Sequence, residues 1–382
     1  MVDDLLPALV ELRRDIHAHP ELGYKEHRTA ALIAAQLRAI GCEVHEGIGG
    51  TGVVGVLRHG TSPRTIGLRA DMDALPIEEE GAVAWRSTAP GAFHGCGHDG
   101  HVAMLLGAAQ HLARTRRFDG TIHFIFQPAE EGLGGARAMV EDGLFTRFPC
   151  DRVFALHNWP DLPMGTIATR PGPIMGAADK FEIVLTGRGG HAAIPQDTPD
   201  AILAAAQLAT QLNTIVARRI APTASAVLSI TRINGGHTHN VLPASVTLGG
   251  TVRTFDPAVQ DTIEDALRAA AAGVAMANDV SFEVRYDRYY PATINHANAA
   301  AEALAAAATV GDACVAPEPA FTSEDFSFML QACPGAYVWL GQARVDAPGV
   351  PLHHPHYDFN DAVLPIGIRL HVALAERHLA IG

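Results

Sequence analysis

The chain has 382 residues, of which 48% are hydrophobic and 18% charged, and its formal net charge is −13. This composition excludes a disordered protein, and an acidic balance without basic clusters excludes a nucleic-acid-binding one. The length predicts two or three domains, without an apolar stretch long enough to span a membrane. The five scattered cysteines do not suggest a disulfide framework, and no signal peptide is visible, so we expect a cytoplasmic protein.

The first part of the chain alternates helical and strand patterns. The predicted elements, in chain order, are helices at 5–17 and 29–40, strands at 53–57 and 65–69, a helix at 102–112, and strands at 121–126 and 153–157. This alternation is typical of an α/β domain, in which ligands gather where the strands end.

A polar segment precedes the predicted helix at 102–112. Its sequence, His94-Gly95-Cys96-Gly97-His98-Asp99-Gly100-His101, contains three histidines and a cysteine able to bind a metal, and its glycines let the backbone turn between them. Cys96 and His98 stand two residues apart, a spacing at which a loop can turn both side chains towards one ion. By itself, however, a free cysteine is more often a small buried hydrophobic residue than a ligand.

Further possible ligands follow other predicted strands. Glu130 and Glu131 come shortly after the buried strand at 121–126, His157 ends the next strand, and His353 and His354 lie near the C-terminus. Paired acids are usually solvated, and each histidine alone could be structural. Taken together, these clusters predict one metal site. Adjacent carboxylates can divide the work, one binding metal while the other transfers protons.

The pattern changes after Pro171-Gly172-Pro173. The next predicted elements are a strand at 181–185, a helix at 199–216, strands at 226–233 and 245–253, a helix at 257–277 and a strand at 281–286. This β-α-β-β-α-β order predicts a ferredoxin-like α+β domain inserted into the larger one. We predict bounds of 178–289 for the inserted domain, and of 1–177 and 290–382 for the catalytic domain.

Several stretches resemble the M20 metallopeptidase family, and more narrowly its amidohydrolase branch of hippurate hydrolases, N-acyl-L-amino-acid amidohydrolases and auxin-conjugate hydrolases. They follow the order of the family over almost the whole chain and are 69–76, 94–101, 126–132, 187–195, 240–243, 323–326 and 357–361. The resemblance implies a zinc-peptidase-like catalytic domain and an inserted lid domain through which the chain forms a homodimer.

The resemblance also implies two divalent ions, with manganese expected first and zinc, nickel or cobalt as other candidates. Cys96 would bridge the two ions. His98 and His157 would complete the shell of one ion, and Glu131 and His353 that of the other.

Two details of this ligand set stay open. His354 stands where this branch usually has a small or polar residue, so His353 and His354 both remain candidates for one position. Asp71 or Asp73 is predicted to fix the tautomer of a histidine ligand, although a cap at the end of a strand is an equal alternative.

Other residues are predicted to act on the substrate. By the same resemblance, Glu130 is the general base, and His191 reaches the active site of the other subunit to donate a hydrogen bond to the oxyanion. Asn240 is predicted to contact the substrate, and Arg253 to hold its carboxylate in a bidentate pair.

The leading prediction is a metal-dependent amidohydrolase that splits a small-molecule N-acyl-L-amino acid into a carboxylic acid and a free amino acid. A dipeptidase or carboxypeptidase of the same fold is the nearest alternative. A cysteine hydrolase with Cys96 as nucleophile and His98 or His94 as base is a third. The presence of Glu130, which is not needed as a metal ligand, argues against a non-catalytic binding protein.

Overall fold

The computed structural model describes residues 2–344 and 349–381, and no helix of these residues is long and apolar enough to cross a membrane. The helices of this part are α1 (Leu6–Ala18), α2 (His27–Ala39), α3 (His98–Thr115), α4 (Gly135–Glu141), α5 (Leu144–Arg147), α6 (Ala201–Leu212), α7 (Thr214–Arg219), α8 (Pro257–Ala277), α9 (Ala297–Ala307), α10 (Phe326–Ala332) and α11 (Leu364–His378).

The strands of the described residues are β1 (Glu43–Ile48), β2 (Gly52–His59), β3 (Thr65–Asp71), β4 (Gly120–Gln127), β5 (Arg152–Pro163), β6 (Thr166–Thr169), β7 (Gly172–Met175), β8 (Ala177–Thr186), β9 (Gly190–His191), β10 (Ala226–Asn234), β11 (Val241–Leu242), β12 (Ser245–Thr254), β13 (Ser281–Tyr290), β14 (Thr293–Asn295), β15 (Asp312–Val315) and β16 (Gly335–Ala343).

The chain divides into two compact units. The larger unit comprises Met1–Ile174, Ile294–Glu318 and Asp325–Gly382, and the smaller unit comprises Met175–Thr293 and Pro319–Glu324. A catalytic role for the larger unit and a dimerisation role for the smaller unit stay predictions.

The larger unit is built on an eight-stranded sheet with the strand order β1-β2-β4-β3-β5-β16-β6-β15. At its centre, β3 runs parallel to both β4 and β5, and β5 runs parallel to β16. The predicted α/β class is therefore confirmed. Because these central strands point the same way, their carboxyl ends lie along one edge of the sheet.

Alternation along β3 separates the hydrophobic core from the polar groups. Leu68 and Ala70 belong to the core, whereas Arg69 and Asp71 project from the opposite face, as successive residues of a strand do. α3 covers the core face with side chains such as Leu105, which is fully buried. Each buried leucine contributes about 1.5–3 kcal/mol, so this packing fixes α3 and the polar residues at its start.

The smaller unit has its own four-stranded sheet with the order β10-β12-β8-β13, and all three pairings are antiparallel. This order, with α6 between β8 and β10 and α8 between β12 and β13, is the β-α-β-β-α-β arrangement expected from the sequence. The prediction of a single helix at 199–216 is wrong, because the structure has two helices here, α6 and α7. At their junction the Asn213 side chain donates to the Ala209 carbonyl and so competes with the backbone amide for this acceptor.

Candidate metal centre

Three neighbouring strands of the larger unit bring polar groups to one edge of the sheet. β3 ends at Asp71, β4 ends shortly before Glu130, and β5 carries His157. Because β3 pairs in parallel with both other strands, these positions lie side by side. Open α/β sheets bind their ligands at such carboxyl edges.

The segment that leads into α3 turns at Gly97, whose φ is +88°. A Cβ atom here would lie 2.4 Å from Asn158 Oδ1, so only glycine fits. α3 begins directly afterwards at His98, and the amides of Gly100 and His101 donate to the Gly97 carbonyl. The predicted helix start at 102 was therefore wrong, because the first turn is formed by buried polar residues that carry no apolar periodicity.

Cys96, Glu131 and His353 form a first group of ligand atoms, all within 4.8 Å of one another. His353 Nε2 lies 3.2 Å from Glu131 Oε1, and the His353 amide donates to the Gly95 carbonyl at 2.8 Å. Cys96 Sγ also lies 3.4 Å from His157 Nε2. The structure thus brings together one cysteine, one carboxylate and two histidines of the predicted ligand set.

His354 takes a different position from His353. The His354 Nδ1 atom accepts a hydrogen bond from the His356 amide at 3.2 Å, and the two rings lie 5.4 Å apart. This contact favours His353 in the choice that the sequence left open.

His98, Glu130 and Glu131 form a second group, again with ligand atoms within 4.8 Å of one another. Asp73 lies behind this group. One of its carboxylate oxygens accepts from the Glu131 amide at 2.9 Å, and the other lies 3.2 Å from His98 Nδ1. Asp73 therefore orients two predicted ligands at once, as a group behind a metal shell does.

Hydrogen bonds to backbone carbonyls settle the tautomers of two histidines. His98 Nδ1 donates to the Asp73 carbonyl at 2.9 Å, and His157 Nδ1 donates to the Asn158 carbonyl at 2.7 Å. Because a carbonyl can only accept, the proton of each neutral ring is on Nδ1. Each ring therefore offers the lone pair of Nε2, which is the form that binds a metal.

Within residues 2–344 and 349–381, two buried atoms at the centre of the site have no hydrogen-bond partner, namely His98 Nε2 and Glu131 Oε1. The approach of His353 to Glu131 is close but not aligned as a hydrogen bond. A buried polar atom without a partner costs about 1–3 kcal/mol. A bound cation would satisfy both atoms, so the residues present fit divalent metal ions.

The electrostatics of the site also favour a cation. Burial disfavours the charged form of His98, but the carboxylates of Asp71 and Asp73 outweigh it and raise the pKa of His98 to about 10, so that without an ion the ring holds a proton on Nε2, which a bound metal ion would displace. Burial, together with the adjacent glutamate pair, raises the pKa of the Cys96 thiol well above its usual range. Because a thiolate would form here only beside a cation, this environment argues against Cys96 as a metal-independent nucleophile.

His101 belongs to the site but was missed by the sequence analysis. Its Nδ1 lies 2.5 Å from Asp71 Oδ1, and its Nε2 lies 2.6 Å from Asn158 Oδ1. Asp71, His98, His101 and His157 form a further group with metal-ligand spacing. Since both nitrogens of His101 already contact protein groups, we assign it a supporting role. Its position one helical turn after His98 could have identified it.

Arg69 connects the strand ends behind the site. It is fully buried, and its guanidinium donates to Asp71 at 2.6 Å, to Gln127 at 2.7 Å and to Asp325 at 3.4 Å. The Asp325 amide in turn donates to Glu130 Oε1 at 3.4 Å. One cation therefore holds the end of β3, the end of β4 and the residue that contacts the predicted base.

The predicted substrate residues lie in the smaller unit. His191 is exposed at the end of β9, and the Ala192 amide donates to the Asn240 carbonyl at 3.0 Å, which makes His191 and Asn240 neighbours. Arg253 is half-buried on β12 and donates to the Val252 carbonyl at 3.1 Å. The roles assigned to these residues stay predictions.

Known proteins resemble this chain over nearly its full length. Residues 67–377 match the family model described as peptidase family M20/M25/M40. The chain is 40% identical to thermostable carboxypeptidase 2 of Saccharolobus solfataricus over 96% of this chain and 94% of that protein. It is 39% identical to hippurate hydrolase of Campylobacter jejuni over 98% of each. The crystal structure of Bacillus subtilis YXEP, described as a dinuclear metal-binding peptidase of the M20 family, matches with a TM-score of 0.86, 33% identity and 99% of each chain covered.

Replacing Glu131 by glutamine should lower the number of bound ions, because a neutral amide oxygen is a weaker ligand than a carboxylate. Glu130→Gln is the matched control and should keep its ions. The measurement is the metal content of each purified variant after dialysis against dilute manganese, determined by atomic emission. If Glu130→Gln lost its ions while Glu131→Gln kept them, the roles of the two glutamates would be reversed.

Proposed function

The chain belongs to peptidase family M20/M25/M40, and on that basis we propose that it is a metal-dependent amidohydrolase that cleaves N-acyl-L-amino acids into a carboxylic acid and a free amino acid. The observation that carries the proposal is the adjacent pair of the buried Glu130 and the partly buried Glu131 beside Cys96 and His98. The similarity to a protein named hippurate hydrolase supports this substrate class, since hippurate is an N-acyl amino acid.

We assign the metal ligands from the same contacts. Cys96 would contribute to holding both of two divalent ions, His98 and His157 would complete one shell, and Glu131 and His353 would complete the other. The 3.4 Å separation of Cys96 Sγ and His157 Nε2 and the grouping of Cys96, Glu131 and His353 support this division. Mixed sulfur, nitrogen and oxygen ligands suit manganese, zinc, nickel or cobalt, and we propose manganese first.

The reaction follows from the position of Glu130. When bound, the two ions polarise the amide carbonyl and lower the pKa of a water molecule. The Glu130 carboxylate accepts a proton from this water as the water oxygen adds to the carbonyl carbon. Glu130 then delivers the proton to the amide nitrogen as the carbon–nitrogen bond breaks. Asp73 keeps Glu131 and His98 in place throughout.

The smaller unit would complete the active site of a homodimer. We propose that it dimerises and presents His191 to the active site of the partner subunit, where the ring donates a hydrogen bond to the oxyanion. The exposure of His191 and the adjacent position of Asn240 support a shared role in binding substrate. Arg253 would bind the substrate carboxylate, since a guanidinium matches a carboxylate in a bidentate pair.

A second candidate function is that of a dipeptidase or carboxypeptidase with the same ions. The 40% identity to a protein named thermostable carboxypeptidase 2 favours it specifically. The two functions differ in the acyl side of the scissile bond, which is a simple carboxylic acid in one and an amino-acid or peptide residue in the other. We place either reaction in the cytoplasm, because all five cysteines are free in the described residues and the site needs Cys96 reduced.

The manganese-loaded protein should hydrolyse N-acyl amino acids and lose nearly all activity on removal of its ions. The assay measures release of free amino acid from acetyl, benzoyl and long-chain acyl amino acids, with dipeptides tested in parallel. After dialysis against a chelator, manganese or cobalt should restore the activity. Full activity in metal-free protein would refute the role of the ions, and hydrolysis of dipeptides alone would favour the peptidase.

Mixing two inactive variants should restore activity if His191 acts across the dimer. His191→Ala should reduce turnover by about 10²–10³, and Glu130→Gln by about 10²–10⁴. In a mixed dimer, one active site combines the intact Glu130 of one chain with the intact His191 of the other. The test measures activity after exchange of subunits between the two proteins. If subunits exchange without recovery of activity, His191 does not serve the partner's site.

A further inference from the structure

Arg13 lies in the middle of α1 and is fully buried despite its charge. Its guanidinium contacts three carboxylates: Asp361 at 2.6 Å, Asp99 at 3.4 Å and Asp358 at 3.6 Å. A buried guanidinium is tolerated only when it is paired in this way. None of these residues has been given a role in binding the ions or the substrate.

The three carboxylates belong to the two segments that carry the proposed ligands. Asp99 directly follows His98, while Asp358 and Asp361 lie in the stretch that follows His353. Arg13 therefore contacts both segments with one side chain. Its planar guanidinium can hold several oxygens at fixed angles, which the single ammonium of a lysine cannot.

The two segments also contact each other directly. The His353 amide donates to the Gly95 carbonyl at 2.8 Å. At Gly100, a Cβ atom would lie 2.3 Å from the Phe359 ring, so the second segment packs against the bare backbone of α3. A shift of one segment therefore moves the other, and any group that fixes both determines how far apart their ligands lie.

A second residue of α1 strengthens the attachment to Asp99. His17 Nδ1 lies 2.8 Å from Asp99 Oδ2, and His17 Nε2 lies 3.4 Å from Glu79 Oε1. Burial opposes protonation of His17, but Asp99 outweighs it and raises the pKa of His17 to about 9. Asp99 is thus held between two cations of the same helix.

We propose that Arg13 is a positioning residue that holds the His98 segment and the His353 segment at the separation required to bind two ions. It acts through Asp99 and Asp361 and contacts neither ion. The proposal rests on the ligand set given above, but not on the identity of the substrate. Groups behind a metal shell typically change metal affinity by about 10–100-fold when they are removed.

Arg14 offers a matched control on the same helix. It donates to Asp361 Oδ2 at 2.8 and 3.0 Å, and its guanidinium stacks on Trp85 at 3.6 Å. Its side chain is 39% exposed, however, whereas that of Arg13 is fully buried. A surface ion pair of this kind contributes little, so loss of Arg14 should leave the ligand segments in place.

The test is titration of the metal-free protein with manganese by calorimetry, with the unfolding temperature of the metal-free protein measured in parallel. Wild-type protein should bind two ions, and Arg14→Met should match it. Arg13→Met should bind at least one ion about 10–100-fold more weakly. The loss of affinity in the double variant Arg13→Met with Asp99→Asn should be smaller than the sum of the losses in the two single variants, since both changes remove the Arg13–Asp99 contact.

A folded Arg13→Met protein that binds both ions with wild-type affinity would overturn the proposal. Losses that simply add in the double variant would overturn the route through Asp99. Should Arg13→Met fail to fold, Arg13→Lys replaces it and is compared with Arg14→Lys, and equal affinities in that pair would also overturn the proposal. Fewer than two ions in the wild type would instead refute the ligand set itself.

Discussion

Buried carboxylates near the carboxyl ends of β3 and β4 and at the starts of α3 and α10 require positive partners, and the larger unit is arranged around that requirement. A carboxylate without compensation in a protein interior costs several kcal/mol. Arg69 compensates Asp71 and Asp325, and Arg13 together with His17 compensates Asp99. The glutamate pair 130–131 lies instead in a ligand cluster where His98 Nε2 and Glu131 Oε1 have no hydrogen-bond partner among the described residues. A pair of dications would complete this charge balance.

Further hydrogen bonds determine which atoms of the site would be available to bind ions. Carbonyl acceptors fix the Nδ1 protons of His98 and His157, which leaves both Nε2 atoms available as ligands. Asp73 connects His98 to the backbone of Glu131. The residues of these hydrogen bonds all belong to the larger unit, so the substrate residues proposed on the smaller unit take no part in them.

The sequence predicted those features whose signal is local. The alternation of strands and helices correctly predicted the α/β class, and apolar periodicity predicted α8 at its observed bounds. The predicted start of α3 was wrong, because its first turn consists of buried polar residues without apolar periodicity. Arg13 could not be found from the sequence, since it lies 86 residues from Asp99 and 348 from Asp361, and an arginine in an amphipathic helix usually faces the solvent. Roles that depend on bound ions or on a second subunit stay predictions, because they involve groups that do not belong to this chain.

Anomalous X-ray diffraction from crystals of the manganese-loaded protein tests the two-ion centre most directly. We expect two manganese peaks about 3.5–4 Å apart, the spacing of two-metal hydrolytic sites. Cys96 Sγ should lie within bonding distance of both, with His98 and His157 on one ion and Glu131 and His353 on the other. A single peak, or ions bound by Asp71 and His101 with Cys96 unligated, would contradict the proposed centre.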